Sequence, residues 1–358
     1  MQLGGYTLIS NLLSKIKKSE KFQEGSYIFK TKDVVKKFMV KLLSLLNEHF
    51  PNETILKLVI TIPERENVIV DLLKNILAEL GIRNDRLVIL GHKQSYMYYA
   101  VSQPKELWAN SVGLFEFDEM GLRYTNLTVD KRTIPYIVGA DVYDLSDIMP
   151  YSVLQEKGDV KYMFLNTANT MLHKKMVTTI YVTGKGFDQR WATDALKELC
   201  NGRRVFRGQN LFNKGAAYAA RMLTDREKTK EFIFLDDDML TSDISIRTYH
   251  NAKMHDVVLA KAGTLWSDID ESIDIIPDNE IQITDKNVLT RETRAHILSL
   301  SGFAVRDNKT TRFTVRIRFA DQYTCIVTLK DNGFGEFYPS TNRIWERYIK
   351  INGADSKN

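Results

Sequence analysis

The hydrophobic pattern in the first part of the chain switches between helical and strand periods. Apolar residues recur every three or four positions over residues 68–80 and stop at Gly81, which predicts an amphipathic helix. Short apolar runs at residues 56–62 and 86–90 flank this helix and predict buried strands. Residues 92–101 predict another helix. This alternation of strand and helix is typical of an α/β layer with a partly parallel sheet.

Helices are also predicted before these elements. Residues 8–18 are apolar and basic at helical spacing, and Thr31 stands where an N-cap would begin a helix that carries Val34, Phe38 and Leu42 on one face. Residues 131–175 show neither period clearly, so we predict irregular and helical structure there.

A hairpin is predicted after residue 111. Residues 112–117 and 122–129 are both rich in apolar and β-branched positions, and Glu119, Met120 and Gly121 lie between them as a turn.

A glycine corner follows at Gly184, Lys185 and Gly186. It ends a β-branched run and opens an amphipathic helix, and a small-residue helix follows at residues 210–220. Glycines at such a corner let the backbone approach a flat ligand or a phosphate, because no Cβ intervenes. The competing interpretation is that these glycines only end a strand and begin a helix.

Beyond residue 231 the period changes to two. Residues 312–319 alternate polar and apolar positions without a break, with Arg312, Arg316 and Arg318 on the polar face, and residues 323–329 do the same. Two more strands are predicted at residues 273–276 and 280–283. The domain prediction is therefore an α/β core over residues 1–230 and an antiparallel β-sandwich over residues 231–358.

Length, charge and cysteine content indicate what class of protein this is. A chain of 358 residues exceeds the ~250 at which single cores usually stop growing. The net charge of +5 is spread along the chain, so no nucleic-acid partner is predicted. Cys200 and Cys325 fall in different predicted domains, which disfavours a disulfide and favours a reducing cytoplasm. The N-terminus does not resemble a signal peptide, and no apolar run nears the ~18 residues that span a bilayer, so no membrane association is predicted.

Three pieces of the chain, in order, resemble the actin, sugar-kinase and heat-shock-chaperone ATPase superfamily, chaperone branch. They are the strand of residues 58–63 with the helix of residues 92–101, the hairpin of residues 112–129, and the glycine corner with its small-residue helix. They cover roughly residues 20–225. The chain looks most similar to an uncharacterised bacterial family with such a core and a C-terminal β-domain, in which pieces like residues 184–188, 202–206 and 333–340 recur. The fold class implied is an incomplete actin-like core plus a β-sandwich.

The resemblance implies a nucleotide site at five residues of this chain: Glu116, Gly121, Gly184, Lys185 and Gly186. Glu116 falls on the acidic position of the second phosphate hairpin, where it could hold a metal-bound water.

Three features of the chain depart from the active members of that superfamily. An Asp-Leu-Gly hairpin is not found before residue 26, and His92-Lys93 replaces the usual Glu-Pro pair. Asp118, Glu119 and Met120 replace phosphate-binding glycines. Two like charges ~5 Å apart repel by about 3 kcal/mol at an effective dielectric of ~20, which disfavours a triphosphate there.

The function predicted is that of a non-catalytic, chaperone-like or scaffold protein with a degenerate nucleotide site, which binds protein partners in the cytoplasm. No cofactor is assigned to this function, no metal site is predicted, and no catalytic residue is assigned. One alternative is a weak ATPase that binds ATP or ADP with Mg²⁺, its first phosphate loop lying upstream or on a partner chain. The other is a metal-dependent glycosyltransferase acting through Asp236 and Asp238, acids that also fit a simple turn.

Overall fold

The computed structural model describes the chain except residues 1, 4–5, 156–157, 226, 251–252, 278–279, 301–310 and 352–358. Within it the chain divides into two compact units, Met1–Phe232 and Ile233–Asn358. The described residues form seven α-helices and several sheets, both parallel and antiparallel. The prediction of a mixed α/β protein with an antiparallel part is confirmed at that level.

The seven α-helices of the described residues all lie in the first unit. They are α1 (Leu12–Lys18), α2 (Thr31–His49), α3 (Asn67–Glu79), α4 (His92–Val101), α5 (Val160–Leu172), α6 (Arg190–Leu199) and α7 (Leu211–Thr224). Among the described residues, no helix combines the length and the apolar content needed to cross a membrane.

Helix α3 follows most of its predicted pattern, because Leu73, Ile76 and Leu77 are buried against neighbouring elements. Val68, predicted on the same face, is 61% exposed. The start of α2 differs from the prediction. Thr31 is the first helical residue rather than the cap, and its hydroxyl donates 2.8 Å to the carbonyl oxygen of Ser19. The Thr31 side chain therefore binds the segment that precedes α2. It does not cap the first amides of the helix.

Twelve strands begin in the first unit of the described chain. They are β1 (Gln2–Leu3), β2 (Tyr6–Thr7), β3 (Lys21–Glu24), β4 (Tyr27–Lys30), β5 (Leu58–Ile62), β6 (Leu87–Gly91), β7 (Ser111–Asp118), β8 (Gly121–Asp130), β9 (Tyr136–Asp144), β10 (Val177–Thr183), β11 (Arg204–Arg207) and β12 (Phe232–Leu235). β1 pairs with β2 and β3 with β4 as short antiparallel ribbons, while β5 and β6 form a parallel pair bridged by α3.

The larger sheet has the order β11-β10-β7-β8-β9-β12. β7, β8 and β9 form an antiparallel meander, and β10 and β11 run parallel to β7. The predicted hairpin is β7–β8. The prediction of irregular and helical structure over residues 131–175 is wrong for β9, which pairs with β8 from Ile137 to Asp144.

Aromatic rings pack beneath this sheet. Phe115 of β7 contacts Tyr124 of β8 and Phe164 of α5, with ring centroids 4.7 and 5.4 Å apart. Phe187 and Trp191, just beyond β10, close the same cluster. The helices α5 and α6 are held on this face by apolar burial. The glycine corner follows the end of β10, and the turn of the β7–β8 hairpin follows the end of β7.

The second unit contains eight strands in its described part: β13 (Ser242–His250), β14 (Lys253–Ala260), β15 (Asp270–Ile275), β16 (Glu280–Asn287), β17 (Thr293–Ser299), β18 (Arg312–Asp321), β19 (Thr324–Gly333) and β20 (Ile344–Lys350). They form two four-stranded antiparallel sheets, ordered β14-β13-β16-β17 and β15-β18-β19-β20.

The alternation predicted for β18 is present in the structure. Phe313, Val315 and Ile317 are buried, whereas Arg312 and Arg316 are exposed. The buried residues of both sheets belong to one apolar core, with Ile244 and Ile283 on one sheet facing the same cluster as Val315 on the other. The burial of one face on each sheet explains the period of two.

Candidate functional site

The glycine corner lies where β10 ends, next to the end of β7. The pairing register of these parallel strands sets Thr183 beside Glu116. The Thr183 hydroxyl donates a 3.0 Å hydrogen bond to the carbonyl oxygen of Gly208. This bond connects the corner to the loop between β11 and α7. The structure therefore brings Glu116, Gly184, Lys185 and Gly186 into one neighbourhood, with Gly121 at the end of the same hairpin.

Both corner glycines pack against Phe117. Gly184 has a φ of 101°, and a Cβ on it would lie 2.2 Å from the backbone oxygen of Phe117. A Cβ on Gly186 would lie 2.3 Å from the Phe117 ring. Close packing on the neighbouring strand is thus sufficient to account for glycine at both positions.

Gly121 has a comparable role at the hairpin. Its φ is 92°, and a Cβ there would lie 2.6 Å from the Cβ of Ser146. The turn itself is stabilised by Asp118, whose carboxylate accepts a 2.9 Å hydrogen bond from the amide of Met120. Two of the residues that replace the expected glycines, Asp118 and Met120, therefore build the turn.

An open cavity of about 370 Å³ lies at the corner. This volume falls in the range of small-ligand clefts. Its polar lining includes the side chains of Lys185, Asp188 and Arg207. Lys185 lies 3.6 Å from Glu119 in an exposed ion pair, which is worth little in free energy. The cavity thus offers two cationic groups and one carboxylate beside a glycine backbone.

Glu116 is held by a cation on the facing strand. Arg123 is its cross-strand partner, and Nη2 of Arg123 lies 3.2 Å from Oε1 of Glu116 and 3.5 Å from Oδ2 of Asp118. Nδ1 of His92, at the start of α4, lies 3.7 Å from the same Glu116 oxygen. This charged cluster, formed by Glu116, Asp118, Arg123 and His92, is mostly buried.

The pKa values of Glu116 and Asp118 shift in opposite directions. Burial raises the pKa of Glu116, but the nearby His92 ring and the Arg123 guanidinium outweigh it, so the pKa lies below its ordinary value. Burial also raises the pKa of Asp118, and the neighbouring charge of Glu116 adds to it, so that pKa lies above its ordinary value. Glu116 therefore holds its negative charge more readily than Asp118, and Arg123 lies within 4 Å of both carboxylates.

The sequence interpretation did not include Arg123, His92 or Arg207 among the site residues. Arg123 could have been found, because a two-residue turn after Asp118 places it directly opposite Glu116. His92 reaches the cluster through tertiary packing: its ring stacks on Phe212 of α7, with centroids 3.8 Å apart and planes 10° apart. Local spacing carries no signal for such a contact.

Asp236 and Asp238 lie directly after β12. The Asp236 carboxylate accepts a 2.8 Å hydrogen bond from the amide of Asp237, and the carbonyl oxygen of Asp238 accepts one of 3.1 Å from the amide of Trp266. Within the described part of the chain, no three His, Cys, Asp or Glu side chains are grouped so that they could hold a metal ion.

A second cavity of about 490 Å³ opens at the opposite end of β10. It is lined in part by Thr178, Thr179, Arg203 and Arg204. Because β10 runs from Val177 to Thr183, this cavity lies a full strand length from the glycine corner. The larger cavity and the predicted site are therefore separate places in the fold.

Comparisons with known proteins give two family matches. Residues 1–237 match a model described as the C-terminal part of a family of unknown function, DUF5716. Residues 239–351 match a domain of unknown function, DUF8552. No curated protein matches the chain.

Proposed function

The chain belongs to the DUF5716 family of unknown function, and we propose that it is a non-catalytic scaffold protein with a degenerate nucleotide corner, which acts by binding other proteins. The observation that carries this proposal is the ion pair between Glu116 and Arg123, 3.2 Å apart. A carboxylate that organises a metal-bound water must direct its negative charge at that ion, and here the charge is directed at a guanidinium.

The packing at the glycine corner supports the same conclusion. Gly184 and Gly186 lie against Phe117, so their backbone contacts the protein itself. The hairpin turn presents the Glu119 side chain, which is mostly exposed, where a triphosphate would need amide donors. A further negative charge at that place opposes phosphate binding.

The test is calorimetric titration of the chain with Mg-ATP and with Mg-ADP. We expect no binding heat at nucleotide concentrations up to about 1 mM, a level that corresponds to about −4 kcal/mol of binding free energy. A matched titration of the Arg123→Met variant, which frees the Glu116 carboxylate, provides the comparison. Micromolar binding by the unmodified chain would overturn the proposal.

A second candidate is a nucleotide-binding member of the actin-like ATPase superfamily. The specific observation in its favour is the strand order of the larger sheet, in which a three-stranded meander is followed by two parallel strands with α5, α6 and α7 between and after them. This arrangement resembles the half of that fold which carries the adenosine corner. The 370 Å³ cavity beside the glycine corner, lined in part by Lys185 and Arg207, supports this candidate.

The two candidates differ in one measurement. A nucleotide bound at the corner would lose affinity when Lys185 and Arg207 are both changed to Gln, because two cations near phosphate are removed. The scaffold proposal expects no change, since the unmodified chain does not bind. Lys197→Gln, on the exposed part of α6, is the control for a general loss of positive charge.

A further inference from the structure

The first unit contains the same arrangement twice. The segment α2-β5-α3-β6-α4 and the segment α5-β10-α6-β11-α7 each consist of a helix, a strand, a helix, a strand and a helix. In each segment the two strands pair in parallel. The last helices, α4 and α7, pack on each other through His92 with Phe212 and through Ser95 with Gly215. The second segment can therefore be used to identify which neighbouring elements the first segment lacks.

In the second arrangement β10 is paired on both edges, with β11 on one side and β7 on the other. In the first, β5 pairs with β6, and among the described residues no strand occupies its other edge. Both faces of β5 are covered: Leu58 and Ile60 pack in the apolar cluster with α3, and the Thr61 hydroxyl lies 2.7 Å from that of Ser95 in α4.

Residues Leu58 to Thr61 are nonetheless only half-buried, whereas residues 179–182 of β10 are buried. Since helices cover both faces of β5, the exposure comes from its open edge. Strands of parallel sheets are normally buried, and an unpaired strand edge readily accepts another strand. The edge of β5 is therefore a place for strand addition.

The helix that precedes each strand shows the same difference. Phe164 and Leu165 of α5 are buried against the sheet that contains β7 and β8. α2 uses one face against α3, with Val35 buried, and leaves a second apolar face exposed. We name this the α2 stripe, and its members are 40–51% exposed: Phe38, Leu42, Leu45, Leu46 and Phe50.

We propose that a partner polypeptide completes the first arrangement by adding a β-strand parallel to β5 and an antiparallel hairpin whose apolar face covers the α2 stripe. One added sheet explains both the open edge and the exposed stripe, just as β7 pairs with β10, β8 pairs with β7, and the two strands cover α5. The backbone of the added strand supplies hydrogen bonds, and its alternate side chains supply the apolar contact.

The partner is identified by its family and by its chemistry. The family description assigns residues 1–237 to the C-terminal part of the family, and the part that precedes it in family members is the source we commit to. It must carry a strand of β-branched and apolar residues, because it lies between helices on both faces. This inference rests on the proposed binding role and names the partner.

The probe is a recombinant polypeptide made from the preceding part of a DUF5716 family member. It is titrated into the full chain, and hydrogen exchange is measured with and without it. We expect a one-to-one complex in which exchange slows at residues 58–62 and at residues 38–50. Exchange at β10, which is already paired on both edges, should not change.

Two double variants distinguish binding at the α2 stripe from non-specific hydrophobic binding. Phe38→Lys with Leu42→Lys changes two exposed residues of the α2 stripe and should weaken binding at least tenfold while leaving the fold intact. Ile148→Lys with Met176→Lys, also exposed in the first unit, should change the affinity less than twofold. Circular dichroism establishes that both variants are folded.

Three results would overturn the inference. They are no binding by the folded chain, binding with protection elsewhere than β5 and α2, and self-association of the chain that protects these two segments without the probe. All measurements are made without nucleotide, so Mg-ATP binding in the earlier titration would overturn the degenerate-site proposal alone.

Discussion

Gly215 of α7 lies directly against the backbone of Ser95 in α4, so that a Cβ on Gly215 would lie 1.9 Å from the Ser95 carbonyl oxygen. The two helices can approach this closely only because one of them carries no side chain at the contact. Since α4 and α7 end the two similar arrangements of the first unit, this contact joins them.

The first prediction concerns this contact. Gly215→Ala should destabilise the first unit by about 2 kcal/mol, because the cost of overpacking exceeds the gain in helix propensity. Urea unfolding followed by circular dichroism measures the change. Gly139→Ala is the control, since a Cβ there meets no atom within 4 Å. Equal stability of the two variants would show that the helices separate at low cost.

The second prediction distinguishes the two corner glycines. Gly186→Ala should cost about 2 kcal/mol, and Phe117→Ala should relieve part of that cost in the double variant, because the Cβ meets Cγ and Cδ1 of Phe117, which alanine lacks. Gly184→Ala should not be relieved, since its Cβ meets the Phe117 backbone at a φ of 101°. A double-mutant cycle of urea midpoints measures the coupling. The contacts described here would be contradicted if the substitution of Phe117 reduced the stability loss of both glycine variants, or of neither.

The third prediction concerns the pH dependence of the charged cluster. The folded-state pKa of Glu116 lies below its ordinary value of 4.5, so its interactions stabilise the fold above about pH 4.5 and are lost as pH falls through the lowered pKa. Arg123→Met should therefore cost about 3 kcal/mol at pH 7 and much less at pH 3.

Urea unfolding at the two pH values measures this difference, and carbon NMR of the Glu116 carboxyl reports its titration. In the variant the pKa of Glu116 should rise, because burial remains and the guanidinium is gone. Arg132→Met, which removes an exposed arginine paired with Asp130, is the control and should change stability little at either pH. A pH-independent loss in Arg123→Met would contradict the electrostatic account.

The fourth prediction uses the two thiols. Cys200 is exposed, whereas burial raises the pKa of Cys325 to about 12, with the charge of Asp285 adding to it. At pH 8 the native chain should release one equivalent of thionitrobenzoate quickly from Ellman's reagent and the second only on unfolding, since the thiolate is the reacting form. In a Cys200→Ser variant, the remaining reaction reports opening of the second unit. Rapid release of two equivalents from the native chain would refute this.

Several elements could be predicted from the sequence because burial of one face imposes a period. α3 and β18 are of this kind, with Leu73 and Val315 at positions where the period requires an apolar residue. β9 could not be predicted, because Gly139 interrupts it and Val142 and Tyr143 in its second half are exposed. It forms a strand because it pairs with β8, and such pairing depends on the tertiary fold rather than on the local sequence.

The candidate site divides in the same way. Glu116 and the corner glycines could be singled out from the sequence, and the cross-strand position of Arg123 follows from the turn. The contact of Gly184 with Phe117 joins residues far apart in the chain, and no periodic pattern encodes it. The sequence therefore indicated a candidate site but could not indicate that its glycines contact protein.

The contact between Ser95 and Gly215 also bears on how the chain is made. The two residues are about 120 positions apart, so at ~5–20 residues per second a ribosome needs roughly 10 s to deliver the second after the first. During that interval α4 has no α7 to pack on, and the β5 edge and α2 stripe are exposed beside it. Protection of this first segment by a chaperone during synthesis would matter most in those seconds.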